Sequence, residues 1–123
     1  MSWTIVIPGQ PISGNHSSKI GRGYRAGGIA YPKIVKTEEA VTYQAVAALY
    51  TRSAKPSGWY WDGSQIVVEY RFFLLRDADC TNLIKVVEDA VFPAIGVNDR
   101  YALPRAMSKE IVKVNPRVEV TIG

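Results

Sequence analysis

Apolar and polar positions along this chain follow two periods, one typical of strands and one typical of helices. β-Branched and aromatic residues are concentrated in four segments, which predict strands at 3–7, 65–75, 109–114 and 117–123. In the last segment Val118 and Val120 fall on one face, and Glu119 and Thr121 fall on the other. This alternation predicts a sheet with one face against the core.

Two further segments carry the spacing of three and four residues that is typical of an amphipathic helix. The first predicted helix covers 38–52, with Thr37 as its N-cap. Its predicted buried face is Val41, Ala45, Ala48 and Leu49. The second covers 82–92, followed by Pro93 and a closing Gly96. Its predicted buried stripe is Leu83, Val87, Ala90, Val91 and Ala94.

Two connections separate these elements. Residues 15–33 contain four glycines and scattered cations, which predict a long loop or a glycine-rich hairpin. Residues 53–64 predict a polar connection. With 123 residues the chain has length for one core, so we expect a single domain over 1–123. The predicted fold class is α+β, with a mixed or antiparallel sheet and two main helices.

Composition places the chain among ordinary globular proteins, with 47% hydrophobic and 21% charged residues. A single cysteine, Cys80, excludes an internal disulfide framework and is typical of a reducing compartment. No apolar run approaches the roughly 20 residues that span a bilayer. The first residues lack the pattern of a secretory signal. We therefore expect a cytoplasmic protein without a membrane partner.

Charge is distributed unevenly along the chain. Its formal net charge is +4, and residues 1–37 contain no acid. The cations in that part are Lys19, Arg22, Arg25, Lys33 and Lys36. A surface of this kind attracts polyanions, nucleic acid above all. The alternative is that these charges only keep the protein in solution.

Residues 77–100 carry five of the 11 acidic residues: Asp77, Asp79, Glu88, Asp89 and Asp99. On the second predicted helix, Asn82, Lys85 and Asp89 lie within about 60° of one another, away from the buried stripe. Asp79 precedes the first turn of that helix. Asp99 follows the helix, so the chain must fold back for Asp99 to meet Asp79.

Such a cluster suits a hard divalent cation, because Mg²⁺ takes carboxylate oxygens and retains waters. The metal would polarise a phosphate and activate a water, and a nearby lysine would stabilise the transition state. A basic surface around an acidic centre is what a metal-dependent nuclease needs. The alternative is that Asp79 only caps a helix, that Asn82 and Lys85 are solvated, and that Asp99 only belongs to a turn.

The order of these residues resembles the RusA family of Holliday-junction resolvases. The similar segments are Asp79-Cys80-Thr81-Asn82-Leu83-Ile84-Lys85, Glu88-Asp89-Ala90 and Asn98-Asp99-Arg100. The opening IPGQPISGNH and the strand RFFLLR are also similar to that family. The resemblance covers most of the chain, and its specific part is 79–99. It implies a small homodimer, bacterial or phage-encoded, that nicks two strands of a four-way DNA junction with Mg²⁺ or Mn²⁺.

Carried over by residue, the resemblance makes Asp79 and Asp99 metal ligands and Lys85 the catalytic cation. Asn82 would help to fix the loop and the waters of the metal. Thr81 stands where the family commonly has a second aspartate, and its hydroxyl would be a weaker ligand or would bridge a water. Asp77 or Asp89 could take over that role. The departure leaves a non-catalytic DNA-binding protein open, as well as a nuclease for other branched or single-stranded DNA.

Further residues are predicted to contact DNA: Asn15, His16, Lys19, Arg22, Arg25, Arg76 and Arg100. For His16 the alternative is an exposed side chain without a role. The aromatic run of Trp59, Tyr60 and Trp61 would stack on unpaired bases or pack in the core or an interface. Two symmetric cuts require a twofold dimer. Its surface would be a β-edge strand or the first helix.

Overall fold

The computed structural model describes residues 2–14, 18–24, 28 and 30–123, the side chains of 18, 22, 24 and 30–32 excepted. In chain order the elements are β1 (Trp3–Pro8), β2 (Ser18–Tyr24), β3 (Ala30–Lys36), α1 (Glu38–Ala54), β4 (Ile66–Leu74), α2 (Cys80–Ile95), a 3₁₀ turn (Asp99–Tyr101), β5 (Ala102–Ile111) and β6 (Arg117–Ile122). The α+β class is confirmed. No helix in the described ranges is long and apolar enough to cross a membrane.

Four strands form a mixed sheet in the order β1-β6-β4-β5. Its pairs are antiparallel except β4 with β5, which run parallel. A parallel pair needs a crossover, and here the crossover contains α2, so β4, α2 and β5 form a β-α-β unit. The predicted mixed sheet is confirmed. The connection from the end of β4 to α2 carries Asp77 and Asp79.

The core lies between one face of this sheet and the two helices. Side chains of β4 alternate between buried and half-buried, with Tyr70 and Phe72 fully buried. Strands β1 and β6 alternate in the same way. This matches the predicted period of two and the predicted placement of Val118 and Val120.

The predicted buried face of α1 is wrong. The residues that the helix buries are Ala40, Tyr43, Ala47 and Thr51. Val41 and Leu49 are 53% and 57% exposed. Small side chains bring α1 close to its neighbours, and the Thr51 hydroxyl is satisfied because it donates to the Ala47 carbonyl at 2.7 Å. The predicted N-cap is confirmed, since the Thr37 Oγ1 accepts from the Ala40 N–H at 3.2 Å.

Helix α2 buries Leu83, Val87, Ala90 and Val91 as predicted, whereas Ala94 is half-buried. The helix begins at Cys80 and continues through Pro93 to Ile95, beyond both predicted ends. Pro93 lacks the N–H that would bond to the Asp89 carbonyl, and the helix continues for only two residues beyond it. Gly96 ends the helix with a φ of 74°, as predicted, and this left-handed conformation favours glycine.

Strand β5 begins at Ala102, well before the predicted start at 109, and ends at Ile111. Nearly all of its residues are exposed, so its sequence lacks the alternation on which the prediction depended. In the described residues 18–24 and 30–36, β2 and β3 form a separate two-stranded antiparallel sheet, as the hairpin alternative predicts.

Candidate functional site

Asp79 is the N-cap of α2. Its Oδ1 accepts from the Thr81 N–H at 2.9 Å, and its carbonyl accepts from the N–H groups of Asn82 and Leu83. The side chain is exposed. The capping role that the sequence left open is therefore real, and it fixes one oxygen of the carboxylate at the start of the helix.

Two side chains from distant elements hold the connection that leads to Asp79. The Gln10 amide accepts from the Leu75 N–H at 2.7 Å and donates to the Arg76 carbonyl at 3.3 Å. From β5, the Lys109 Nζ binds the Asp77 carboxylate at 2.8 Å and donates to the Ala78 carbonyl at 3.2 Å. The connection is thus fixed from both sides. No sequence pattern predicts either contact, because both join residues far apart in the chain.

This connection borders a depression of about 600 Å³. Its lining combines the cation of Arg76, the two acids Asp77 and Asp79 and the amide of Asn82 with the apolar Pro11 and Ile12. The N-terminus of α2 faces this region, and helix N-termini favour anions. The size and chemistry of the depression suit a segment of sugar-phosphate backbone.

A second group of charges surrounds the amine of Lys85. The Nζ lies 3.0 Å from Asp89 Oδ1 and 3.2 Å from Asp99 Oδ2. The hydrogen bonds that Lys85 donates to Asp89 and Asp99 raise the pKa of Lys85 above its ordinary value. After α2 the chain brings Asp99 to Lys85, whereas the predicted meeting of Asp99 with Asp79 stays a prediction. We call Lys85, Glu88, Asp89 and Asp99 the acidic cluster.

Glu88 lies beneath this cluster and is only 8% exposed. Its Oε1 accepts a hydrogen bond from the hydroxyl of the buried Tyr70 at 3.0 Å. Burial raises the pKa of Glu88 above 4.5, with the charge of Asp99 acting in the same direction and the Tyr70 bond opposing it. Glu88 directly follows Val87 of the predicted buried stripe, and this position was the available signal of its burial. The sequence prediction gave Glu88 no role.

Replacing Glu88 by glutamine is expected to remove a pH dependence of stability. The raised pKa means that the folded chain holds the Glu88 proton more tightly than the unfolded chain does. The free energy of unfolding of the wild type therefore falls, relative to Glu88→Gln, as the pH rises above 4.5. Urea titrations between about pH 4 and 7 measure this difference. If the free energy of unfolding changed with pH equally in the two proteins, the prediction would be contradicted. Glu110→Gln, a change at an exposed glutamate, is the control.

The 3₁₀ turn that carries Asp99 is held by its neighbours. The Asn98 side chain accepts from the Arg100 N–H at 3.0 Å. The Arg100 guanidinium lies 4.8 Å from the centroid of the Tyr101 ring and donates to the Tyr101 hydroxyl at 2.7 Å. Trp61 also packs on the Tyr101 ring, with ring centroids 4.7 Å apart. The aromatic stack therefore fixes Arg100 next to the acidic cluster.

Of the aromatic run, the outer two residues pack. Trp59 meets Trp3 edge-on with ring centroids 5.7 Å apart, and Trp61 packs on Tyr101. Tyr60 is 80% exposed. The packing alternative therefore applies to Trp59 and Trp61, and Tyr60 remains accessible to a ligand.

The two predicted metal ligands lie at different depressions. Asp79 borders the one with Asn82, and Asp99 borders another of about 340 Å³ together with Asp89. Along α2 the rise from Asp79 to Lys85 is about 9 Å. Thr81, in the first turn, is exposed. That Asp79 and Asp99 share one ion stays a prediction.

Four of the predicted DNA contacts belong to the part of the chain that the structure describes. Arg76 borders the larger depression, and Arg100 lies beside the acidic cluster. Lys19 is exposed on β2, and the backbone of Arg22 belongs to the same strand. Asn15, His16 and Arg25 lie outside the described residues.

The donor atoms fit a hard divalent cation. Asp79, Asp89 and Asp99 offer carboxylate oxygens, which Mg²⁺ takes while it retains several waters. Cys80 would offer a soft thiolate, which Mg²⁺ does not favour, and Cys80 is half-buried as a packing residue. In the described structure the Lys85 amine forms ion pairs with both Asp89 and Asp99, so a cation that binds there would compete with it.

No protein-family model matches this chain, and no curated protein matches it.

Proposed function

We propose that this protein is a Mg²⁺-dependent structure-specific endonuclease that cuts four-way DNA junctions by paired nicks, as a RusA-like resolvase would. Mn²⁺ is the alternative metal. The observation that carries the proposal is the contact of Lys85 with Asp99, which the chain reaches only by folding back after α2. This contact joins Asp99, at the end of the segment that resembles the RusA family, to Lys85 on the helix within that segment.

The Lys85 amine acts as a cation in this proposal. Because its pKa is raised, the amine stays protonated at neutral pH and cannot serve as a general base. It would stabilise negative charge on the phosphate oxygens once the carboxylates turn to the metal. Asp79 and Asp99 would hold Mg²⁺, which supplies charge neutralisation and an activated water.

The basic residues around this centre would bind the DNA backbone. Arg76 and Arg100 lie near Asp79 and Asp99 respectively, so a phosphate bound by either would lie beside a carboxylate. Lys19 and Lys33, both exposed on the β2–β3 hairpin, would extend the contact along the DNA. Asn82, in the larger depression, would orient the loop and the waters of the metal.

Thr81→Asp is expected to lower the Mg²⁺ concentration that gives half-maximal cleavage. A carboxylate in place of the Thr81 hydroxyl is a stronger ligand for Mg²⁺, and the first turn of a helix favours an acid by about 0.3–1 kcal/mol. Cleavage measured across a Mg²⁺ titration tests this, with Thr81→Asn as the neutral control. A half-maximal concentration that stays level or rises would show that the site has adapted to threonine.

A substrate panel separates the proposal from its alternatives. Labelled four-way junctions, forks, flaps, duplexes and single strands would be incubated with the protein and Mg²⁺. Paired nicks confined to the junction support a resolvase, whereas equal cutting of forks or flaps supports a nuclease for other branched DNA. Tight junction binding without cutting in either Mg²⁺ or Mn²⁺ supports the non-catalytic DNA-binding protein.

A further inference from the structure

The outer side of α1 carries an apolar stripe that the fold leaves uncovered. Its apolar members are Val41, Ala45 and Leu49, and the charged Glu38 and Arg52 lie at its two ends. We call these five residues the α1 outer stripe. At 100° per residue these five positions lie within an arc of about 80°. They point away from the buried positions of the same helix, and all five are exposed.

This stripe has the spacing of a helix-packing surface. Val41 and Leu49, 53% and 57% exposed, flank the small Ala45, which allows another helix to approach closely. Large apolar side chains in one row on a surface helix mark an interaction site more often than scattered ones do.

The residues of the stripe are arranged so that two copies of it, packed in opposite directions, complement each other. Around Ala45, Val41 and Leu49 are four positions away on either side, and Glu38 and Arg52 are seven positions away. In an antiparallel pair of α1 helices with the twofold axis at Ala45, Val41 therefore faces Leu49 of the second copy. Glu38 likewise faces Arg52 of the second copy, and the symmetry forms this ion pair twice.

Both charges are free to make that contact. Within residues 2–14, 18–24, 28 and 30–123, neither Glu38 nor Arg52 forms an ion pair in its own chain. We propose that the α1 outer stripe is the homodimer interface, with a second copy of this chain packed antiparallel across Ala45.

Strand β5, one of the two edge strands of the four-stranded sheet, is a competing surface, and three of its features oppose pairing with another strand. It contains Pro104, it is irregular where Tyr70 and Arg71 pair with it, and it carries exposed cations. These are the devices by which edge strands avoid joining other sheets.

An interface on α1 would also fix the relation between the two candidate sites. The Gln44 Nε2 donates to the Val86 carbonyl at 3.0 Å, so α1 is bonded directly to α2, which carries Asp79 and Lys85. A twofold axis at Ala45 would place two copies of α2 at one separation. This use of the dimer for paired cuts rests on the proposed function, whereas the interface itself does not.

Charge exchange tests the interface without any DNA. Sedimentation velocity over a range of protein concentrations is expected to give a dimer for the wild type. Arg52→Glu and Glu38→Arg each replace two attractive pairs by two repulsive ones, so we expect each to raise the dimer Kd about tenfold or more. The double variant Glu38→Arg/Arg52→Glu restores both pairs and is expected to return within about threefold of the wild-type Kd. Lys113→Glu, an exposed reversal on the β5–β6 turn, is the control and should leave the Kd unchanged.

The proposal is overturned by a monomeric wild type, by single variants that dimerise like the wild type, or by a double variant that does not recover. Because charge changes at helix ends also alter helix stability, circular dichroism would accompany each measurement. If a single variant unfolds, Ala45→Arg tests the interface instead. A large side chain on the twofold axis should dissociate the dimer, and the helix content should stay unchanged. A dimeric, folded Ala45→Arg protein would place the interface elsewhere.

Discussion

Under the proposed function, Asp99→Asn is expected to lower the rate of junction cleavage in Mg²⁺ by about 10³-fold, because loss of a proposed metal ligand would remove several kcal/mol of transition-state stabilisation and each 1.4 kcal/mol is tenfold. Junction binding should stay near the wild-type value, since the cations that contact phosphates are unchanged. Asp99 is half-buried and bonded to Lys85 at 3.2 Å, and asparagine is of the same size, so the turn should keep its shape.

Asp79→Asn should give a loss of similar size, since both carboxylates are proposed to hold the same ion. Asparagine remains a good N-cap, so the start of α2 should be preserved. Asp62→Asn, an exposed acid in the connection before β4, is the matched control and should cut at the wild-type rate. Junction cleavage by Asp99→Asn or Asp79→Asn within a few fold of the wild type would remove that residue from the metal site.

Lys85→Met is expected to reduce cleavage by about 10²–10³-fold, the usual cost of removing one donor that stabilises transition-state charge. The effect on folding should be small. The Lys85 side chain is 64% exposed, and exposed ion pairs contribute about 1 kcal/mol or less. A large loss of activity with a small change in the free energy of unfolding would assign Lys85 to the chemistry.

The conservative variant Lys85→Arg separates charge from structure. Arginine keeps the positive charge between Asp89 and Asp99, so cleavage should fall less than in Lys85→Met. Single-turnover rates of both variants, measured with urea unfolding curves, give the comparison. If Lys85→Met unfolds readily, or if it cuts junctions at the wild-type rate, the amine only balances the charge of the acidic cluster.

Local signals predicted most of the secondary structure. Thr37 and Gly96 mark helix ends by their own chemistry, and the alternation in β6 reports a sheet face directly. These features depend on neighbours in sequence, which is the information that a single chain carries.

The failures have a common physical cause, because each depends on what lies opposite in space. On α1 the larger residues Val41 and Leu49 suggested the buried face, whereas the fold packs the smaller Ala40 and Ala47 against the core. If the proposed dimer forms, the sequence pattern reported an intermolecular contact in place of the core. Strand β5 was missed in part because almost all of it is exposed.

The candidate site shows the same division. Asp79 at a helix start and Lys85 with Asp89 one turn apart follow from helical geometry, and the structure places them so. The buried Glu88 with Tyr70, and Gln10 on the connection after β4, join segments distant in sequence. No pattern in the chain predicts such contacts.

The central claim is that this basic protein uses a divalent cation, held by Asp79 and Asp99, to hydrolyse DNA at a branch point. The most direct measurement is cleavage of an end-labelled four-way junction by the wild type in Mg²⁺, in Mn²⁺ and in excess chelator. We expect symmetric nicks with either metal and intact DNA with the chelator. A junction that is bound and remains uncut in both metals, or one that is cut equally in chelator, would contradict the account.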